Sequence, residues 1–296
     1  MTSTRSSARP AAPWIGWVGA ALVVLPGVAR AEPADLFYER TVMSAADDRC
    51  GLFTPELSAA LNAAAQQARG AALRAGMDAR DLESLRRTAE RRAAAVECDS
   101  PDVTVPAAKV RQAFAGYQRV LRMNYPGTVS LWAADRGVGR MPRWRLSQSA
   151  DFGSNRMIFG LAGKAGPSAL VAVADFANNA TPYAARIVFR DGTKTVGPYL
   201  DQRPNQPLAT RLPPRPATRM FMAEARGSAE PELLPKGSAE AWAFRFPTAA
   251  VQALSELDPR EAIAVEFLFP GERVRTAYVE VGDFAAGRAF LQVAAR

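Results

Sequence analysis

The sequence predicts an α+β protein: an N-terminal helical hairpin or bundle segment closed by a disulfide, then an antiparallel β-sandwich-like domain with two short C-terminal helices. The only cysteines, Cys50 and Cys98, flank a stretch with helical hydrophobic spacing. After residue 126 the hydrophobic period falls to two, and turn-forming residues separate short alternating runs. We therefore divide the chain into a signal peptide, an α-helical region and a β-rich domain: 1–31, 32–126 and 127–296.

Residues 1–31 have the composition of a signal peptide. Two arginines precede an apolar run from Trp14 to Val28, and a small–x–small pattern follows it. We predict cleavage after Ala31, a periplasmic or secreted location, and a mature chain without a transmembrane segment. The alternative is an uncleaved anchor, but the run is short of the roughly 20 residues that span a bilayer.

Four helices are predicted in the first half of the mature chain. Each has a recognisable start or stop, such as a capping Thr or Asp, a Pro in the first turn, or a Gly after the end. The four run from Pro33 to Asp48, from Thr54 to Gly76, from Asp78 to Cys98, and from about Pro106, with a stripe through Leu121, to just before Pro126.

The two cysteines have a structural role in this arrangement. A turn at Gly76 to Asp78 predicts that the second and third helices form an antiparallel hairpin, with Cys50 and Cys98 at its open base. In an exported chain we expect a disulfide rather than two free thiols. For a loop of this length the chain-entropy description gives about 4 kcal/mol of stabilisation. Because no C-x-x-C pattern occurs, a redox role is not predicted.

The second half alternates apolar and polar residues. Strands are predicted around Trp144, at Leu170–Phe176, at Trp242–Phe246 and at Ile263–Phe269, among others. Asp191-Gly192 is typical of a two-residue hairpin, which makes Thr193 to Tyr199 the expected return strand. A Pro-rich surface loop is predicted from Gln202 to Pro216. Two short helices are expected, one after Pro247 and one capped by Asp283.

Composition excludes several functional classes. The chain has no histidine, which removes Ser-His-Asp and Cys-His catalysis and histidine-ligated metals. The formal net charge of +8 includes three arginines of the leader, so the mature chain is only mildly basic. We expect an anionic envelope component or another envelope protein as partner, and no nucleic acid, cofactor or metal.

The stretch from Leu131 to Arg145 is the best candidate for ligand contact. Interleaved Trp and Arg side chains can hold sugars or anionic groups through stacking, cation–π contacts and bidentate hydrogen bonds. The possible contact residues are Trp132, Arg136 and Arg140. In the alternative interpretation, Trp144 is a core residue of a strand whose neighbours Arg143 and Arg145 face water.

These observations predict a non-enzymatic binding or scaffolding protein of the bacterial cell envelope. The alternative is a carboxylate-dependent hydrolase acting on an envelope polymer, which would need two carboxylates flanking a cleft. The spacing selects no pair and no catalytic residue is assigned. The candidate carboxylates are those near strand ends or turns: Asp135, Asp151, Asp175, Asp191, Glu224 and Glu280.

Overall fold

The computed structural model describes residues 32–200 and 206–293, and the chain from Glu32 onward forms one compact unit. The predicted signal peptide lies outside the described residues. Within them, no helix combines the length and the apolar composition needed to cross a bilayer. The helices are α1 Pro33–Cys50, α2 Pro55–Arg74, α3 Ala79–Ala94, α4 Pro101–Tyr117, α5 Thr248–Ser255 and α6 Phe284–Gln292.

The strands follow α4 and are antiparallel throughout. They form a seven-stranded sheet, ordered β1-β2-β3-β4-β5-β9-β8, and a four-stranded sheet, ordered β11-β10-β6-β7. Their bounds are β1 Arg122–Pro126, β2 Leu131–Asp135, β3 Arg143–Phe152, β4 Asn155–Gly163, β5 Ala169–Asp175, β6 Ala184–Arg190, β7 Thr218–Met222, β8 Ala225–Ser228, β9 Trp242–Phe246, β10 Ala262–Phe269 and β11 Arg273–Glu280.

The helices start where the sequence predicts, except for α4, and α3 ends at Ala94, not at Cys98 as expected. Proline occupies an opening position of α1, α2 and α4, where its missing N–H costs nothing. The fourth helix was expected from about Pro106; it begins at Pro101 because the Ser100 side chain accepts a hydrogen bond from the Asp102 N–H. It also ends at Tyr117, so Leu121, expected on its apolar stripe, lies beyond it and is exposed.

The predicted disulfide is confirmed. Cys50 is the last residue of α1 and Cys98 follows α3, with 5.7 Å between their Cα atoms. Since α1 packs along both α2 and α3, the bond joins the ends of helices that are already in contact. The antiparallel hairpin of α2 with α3 stays a prediction.

The two sheets share one hydrophobic core, which makes the β region sandwich-like. Phe159 and Phe244 of the larger sheet and Ile187 and Phe267 of the smaller one are fully buried in this core. The rings of Phe244 and Phe267 lie 5.5 Å apart across it. Period-two alternation produces this arrangement, because it places every second side chain of facing strands in the same interior.

The predicted hairpin at Asp191-Gly192 is wrong. The strand before it, β6, pairs with β7 and β10, and residues 193–199 form no strand. The Asp191 carboxylate accepts hydrogen bonds from the N–H and the hydroxyl of Thr193, which bends the chain away from the sheet. The segment also contains Pro198, which has no N–H to donate to a ladder.

A polar junction joins β11 to the larger sheet. The side-chain amide of Gln148, on β3, donates to the Glu280 carbonyl over 3.1 Å and accepts from the Glu280 N–H over 2.8 Å. The buried Glu280 carboxylate accepts backbone N–H groups of residues 128–130, in the turn between β1 and β2. The Glu280 side chain therefore attaches the β1–β2 turn of the larger sheet to β11 of the smaller one.

An ion pair attaches α2 to the start of α6. Arg74 donates two hydrogen bonds, of 2.6 and 2.8 Å, to the carboxylate of Asp283. Asp283 precedes α6 as expected, but its side chain makes no capping hydrogen bond. Gly70, one turn before Arg74, permits the close approach, because a Cβ there would lie 2.1 Å from an Asp283 oxygen.

This packing predicts that Gly70→Ala destabilises the protein by roughly 2–3 kcal/mol, because the added methyl group displaces a buried, ion-paired carboxylate. Gly116→Ala is the matched control: it is also helical, but a Cβ there meets nothing within 4 Å. We expect the control to be neutral or up to about 1 kcal/mol more stable. Urea unfolding measures both, and equal stabilities would contradict the described contact.

Candidate functional site

The loop of residues 136–142 joins β2 to β3 and lies within the stretch that the sequence singles out. It contains two glycines, Gly137 and Gly139, and the Arg143 guanidinium lies directly against Gly139. The residues before, within and after this loop divide into a buried set that supports it and an exposed set that it presents.

Trp132 belongs to the buried set and is not a surface contact residue. Its side chain is 0% exposed, because alternation along β2 directs Trp132 and Ala134 into the core. The indole N–H donates to the Val281 carbonyl over 2.9 Å, and the ring lies 5.1 Å from that of Phe284. A ligand in contact with the protein surface cannot reach this ring.

Arg136 is also buried, as a support between α4 and the end of the described chain. Its guanidinium donates to the carbonyls of Val120 and Val293, over 2.7 and 3.0 Å, and to that of Tyr117, the last residue of α4. It also lies 4.2 Å from the centre of the Phe290 ring. Burial lowers the pKa of Arg136. A cation among carbonyls at a helix C-terminus is favourably placed. The Arg136 side chain therefore stabilises the fold and is not available to bind a ligand.

Arg145 was expected to face water but is only 1% exposed. An irregularity in the β3–β4 pairing between Trp144 and Leu146 breaks the alternation there. Arg145 donates to the carbonyls of Gly137 and Gly163, over 2.6 and 3.1 Å, and to that of Lys164. It thereby ties loop 136–142 to the turn after β4, and burial lowers its pKa.

Trp144, which the alternative interpretation placed in the main core, is only half-buried. It packs in a separate cluster with Val173 and Leu233, and its indole N–H donates to the Leu233 carbonyl over 3.1 Å. The segment after β8 therefore covers this part of the larger sheet. Trp144 therefore packs against this segment, and its ring is not free to stack on a ligand.

The exposed set contains apolar and basic side chains together. Val138 is 92% exposed at the loop tip, and Met141 is 50% exposed. Leu121, 51% exposed, lies beside the loop because its carbonyl accepts the Arg136 N–H. We name this surface the basic–apolar patch and define it by its exposed apolar and basic members: Leu121, Val138, Met141, Arg119, Arg140 and Lys164.

The basic members of the patch are not neutralised by neighbours. None of them forms a salt bridge with another residue of the described part of the chain. The nearby carboxylate of Asp135 is occupied by Arg122, over 2.9 Å, and by the Gly137 N–H, over 2.7 Å. Arg140, the exposed one of the three residues predicted to contact a ligand, therefore carries an available charge.

Four of the six carboxylates considered for hydrolysis have structural partners: Asp135, Asp175, Asp191 and Glu280. Glu280 is 0% exposed and accepts three backbone N–H groups, Asp191 forms a turn, and Asp175 accepts the Ser238 hydroxyl over 2.6 Å. Burial raises the pKa of Asp283, but this group is paired with Arg74 and lines a cavity of only about 20 Å³. Within residues 32–200 and 206–293, no group of three Asp, Glu or Cys side chains could hold a metal ion.

Comparison of the chain with protein-family models, with curated proteins and with solved structures found no match. The site is therefore interpreted from its own geometry. The sequence signal that could have identified the exposed set is the pattern Gly-Val-Gly-Arg-Met at 137–141, an apolar residue between two glycines in a polar loop.

The support by Arg145 predicts that Arg145→Met lowers the free energy of unfolding by about 3 kcal/mol, since it leaves several buried carbonyls without a donor. Arg140→Met, five residues earlier in the chain, should change it by less than about 1 kcal/mol, because the Arg140 side chain is exposed. Urea denaturation compares the variants. If both lose the same stability, the support role of Arg145 is refuted.

Proposed function

We propose that this chain is an exported, non-enzymatic binding protein of the cell envelope that attaches to the anionic surface of a membrane through its basic–apolar patch. The observation that carries the proposal is the position of Val138, which is 92% exposed at a loop tip beside unpaired basic side chains. Apolar tips surrounded by cations are suited to the interface of an anionic bilayer.

Each side chain of the patch is expected to contribute only a small free energy to membrane binding. A basic side chain near an anionic surface contributes about 1 kcal/mol, which Arg140 and Lys164 can each provide. Burial of a valine side chain contributes roughly 1.5 kcal/mol more. The sum of these free energies is enough for reversible attachment to a membrane. A helix that spans the bilayer is, by contrast, held permanently.

A bilayer is favoured over a soluble anionic polymer because of the apolar members of the patch. A polymer of sulfate or phosphate groups would gain from Arg140 and Lys164 but would leave Val138, Met141 and Leu121 in water. A bilayer provides headgroups for the cations and hydrocarbon for the apolar tips at the same time.

We favour binding over hydrolysis because the candidate carboxylates Glu280, Asp191 and Asp135 are occupied by hydrogen bonds that hold the fold. Export is supported by the disulfide between Cys50 and Cys98, since such bonds persist mainly in oxidising compartments. The signal peptide and its cleavage after Ala31 belong to this proposal.

The proposal predicts that the mature chain sediments with vesicles containing phosphatidylglycerol and not with vesicles of phosphatidylcholine alone. Val138→Ser should weaken vesicle binding roughly tenfold, and Arg140→Ala about fivefold, with less effect at high salt. Val196→Ser is the control for an exposed valine elsewhere, because Val196 is fully exposed and lies outside the patch; Arg91→Ala is the control for a cation.

A second arm distinguishes a bilayer from a soluble polyanion, with polyphosphate as the probe. Arg140→Ala should weaken polyphosphate binding, whereas Val138→Ser should leave it unchanged. Equal sedimentation with neutral and anionic vesicles, or equal losses in Val138→Ser and Val196→Ser, would refute attachment through the patch.

Export makes a separate prediction about native material. Intact-mass measurement should give a chain that begins at Glu32 and is two hydrogen atoms lighter than its reduced form, because Cys50 and Cys98 are bonded. An N-terminus still carrying residues 1–31, or two free thiols, would rule out the proposed location. The vesicle assay is independent of this outcome.

A further inference from the structure

A cavity lies on the seven-stranded sheet, at the opposite ends of its strands from the basic–apolar patch. Its volume is about 410 Å³, within the roughly 300–1,000 Å³ of small-molecule sites. We name it the rim cleft; its chemically informative lining residues are Asp175, Asn179, Thr181, Ser228, Glu240 and Trp242.

Pairing along β4 separates the two sites. Gly163, at the end of β4, is opposite Arg143, beside the patch. Arg156, near the start of β4, is opposite Asp175, which lines the cleft. The two surfaces therefore lie at different ends of the same strand, and a ligand in the cleft does not depend on membrane attachment.

One wall of the cleft is held by side-chain hydrogen bonds. Asp175 accepts the Ser238 hydroxyl over 2.6 Å. Arg156 donates to the Lys236 carbonyl over 2.6 Å, which ties the turn containing Ser238 to β4. The Asp175 carboxylate is thus oriented before any ligand arrives, which reduces the entropy that binding must overcome.

The segment after β5 contains two consecutive asparagines with left-handed backbone, Asn178 at φ 61° and Asn179 at φ 52°. Non-glycine residues rarely adopt this conformation, and such positions concentrate at ligand sites. Asn179 lines the cleft, whereas Asn178 is not among its lining residues. The backbone therefore places one amide side chain at the cavity.

The cleft also has an aromatic surface. Trp242 is half-buried, and the Arg226 guanidinium lies 3.8 Å from the centre of its ring. This contact holds the ring in place and covers one of its faces, so only the other face is open to a ligand. The sequence predicts Trp242 as a core residue of β9, and it does pack at the margin of the core.

We propose that the rim cleft binds a neutral saccharide. A cationic ligand would need acceptors only and an anionic ligand donors only, whereas this cleft offers both: carboxylates of Asp175 and Glu240, the amide of Asn179, and the hydroxyls of Thr181 and Ser228. Each sugar hydroxyl donates and accepts, and the apolar face of a sugar ring packs on an aromatic side chain.

The test uses isothermal titration calorimetry of the disulfide-bonded mature chain with neutral trisaccharides of glucose and of N-acetylglucosamine. At least one should bind saturably. Asn179→Gly should weaken that binding about fivefold, the loss of one hydrogen bond. Asn178→Gly is the matched control, because glycine suits the left-handed backbone at both positions, and its affinity should stay within twofold of the unmodified chain.

Spermidine tests the competing possibility that the carboxylates recognise a cation. Saturable binding of spermidine without binding of either trisaccharide would overturn the proposal, as would the absence of binding by any probe. An equal loss in Asn178→Gly and Asn179→Gly would also overturn it, since the effect would then come from the loop backbone and not from the cleft.

Discussion

The buried carboxylate of Glu280 is the interaction on which the rest of the β region depends. It is fully enclosed and accepts hydrogen bonds from the N–H groups of Thr128, Val129 and Ser130, with Arg211 at 3.4 Å. A buried charge is costly unless its hydrogen-bonding capacity is filled. Here it is filled mainly by backbone groups, so the charge specifies one position of the β1–β2 turn against β11.

The backbone at Glu280 and Val281 also holds the strands that carry the candidate site. The Glu280 backbone pairs with the Gln148 side chain on β3, and the adjacent Val281 carbonyl accepts from Trp132 on β2. These contacts fix the two strands that carry loop 136–142. Arg136 and Arg145 then hold the loop itself from below, through carbonyls of three separate segments. The exposed tip is therefore presented by a rigid support, which lowers the entropic cost of binding.

Local signals in the sequence identify much of this fold. The starts of α1, α2 and α3 and the alternating strand at Trp242–Phe246 follow from neighbouring residues. The bond between the two cysteines was predicted from the order of the helices and from the leader sequence. The start of α4 was missed because the Ser100 cap competes with the more conspicuous Pro106. Strand order was not predictable, since the pairing of β5 with β9 joins segments far apart in the chain.

The stretch that the sequence selects contains both buried and exposed side chains: Trp132 and Arg136 are buried, whereas Arg140 is exposed. Trp and Arg have long apolar parts as well as polar ends, so either can point to water or support a core. The orientation of Arg145 depends on one irregularity in the β3–β4 pairing, which no local pattern reveals. The loop from Gly137 to Arg140 was a predicted contact region, but Val138 was not singled out within it, because a single valine in a glycine-containing loop has no periodicity.

The length of β4 has a geometric consequence. Its nine residues span eight rises of about 3.3 Å, so its two ends lie about 26 Å apart. A molecule resting on a lipid surface by loop 136–142 would hold the rim cleft at no more than about that height above the headgroups. The strand would then act as a spacer that sets how far from the bilayer a captured glycan is held.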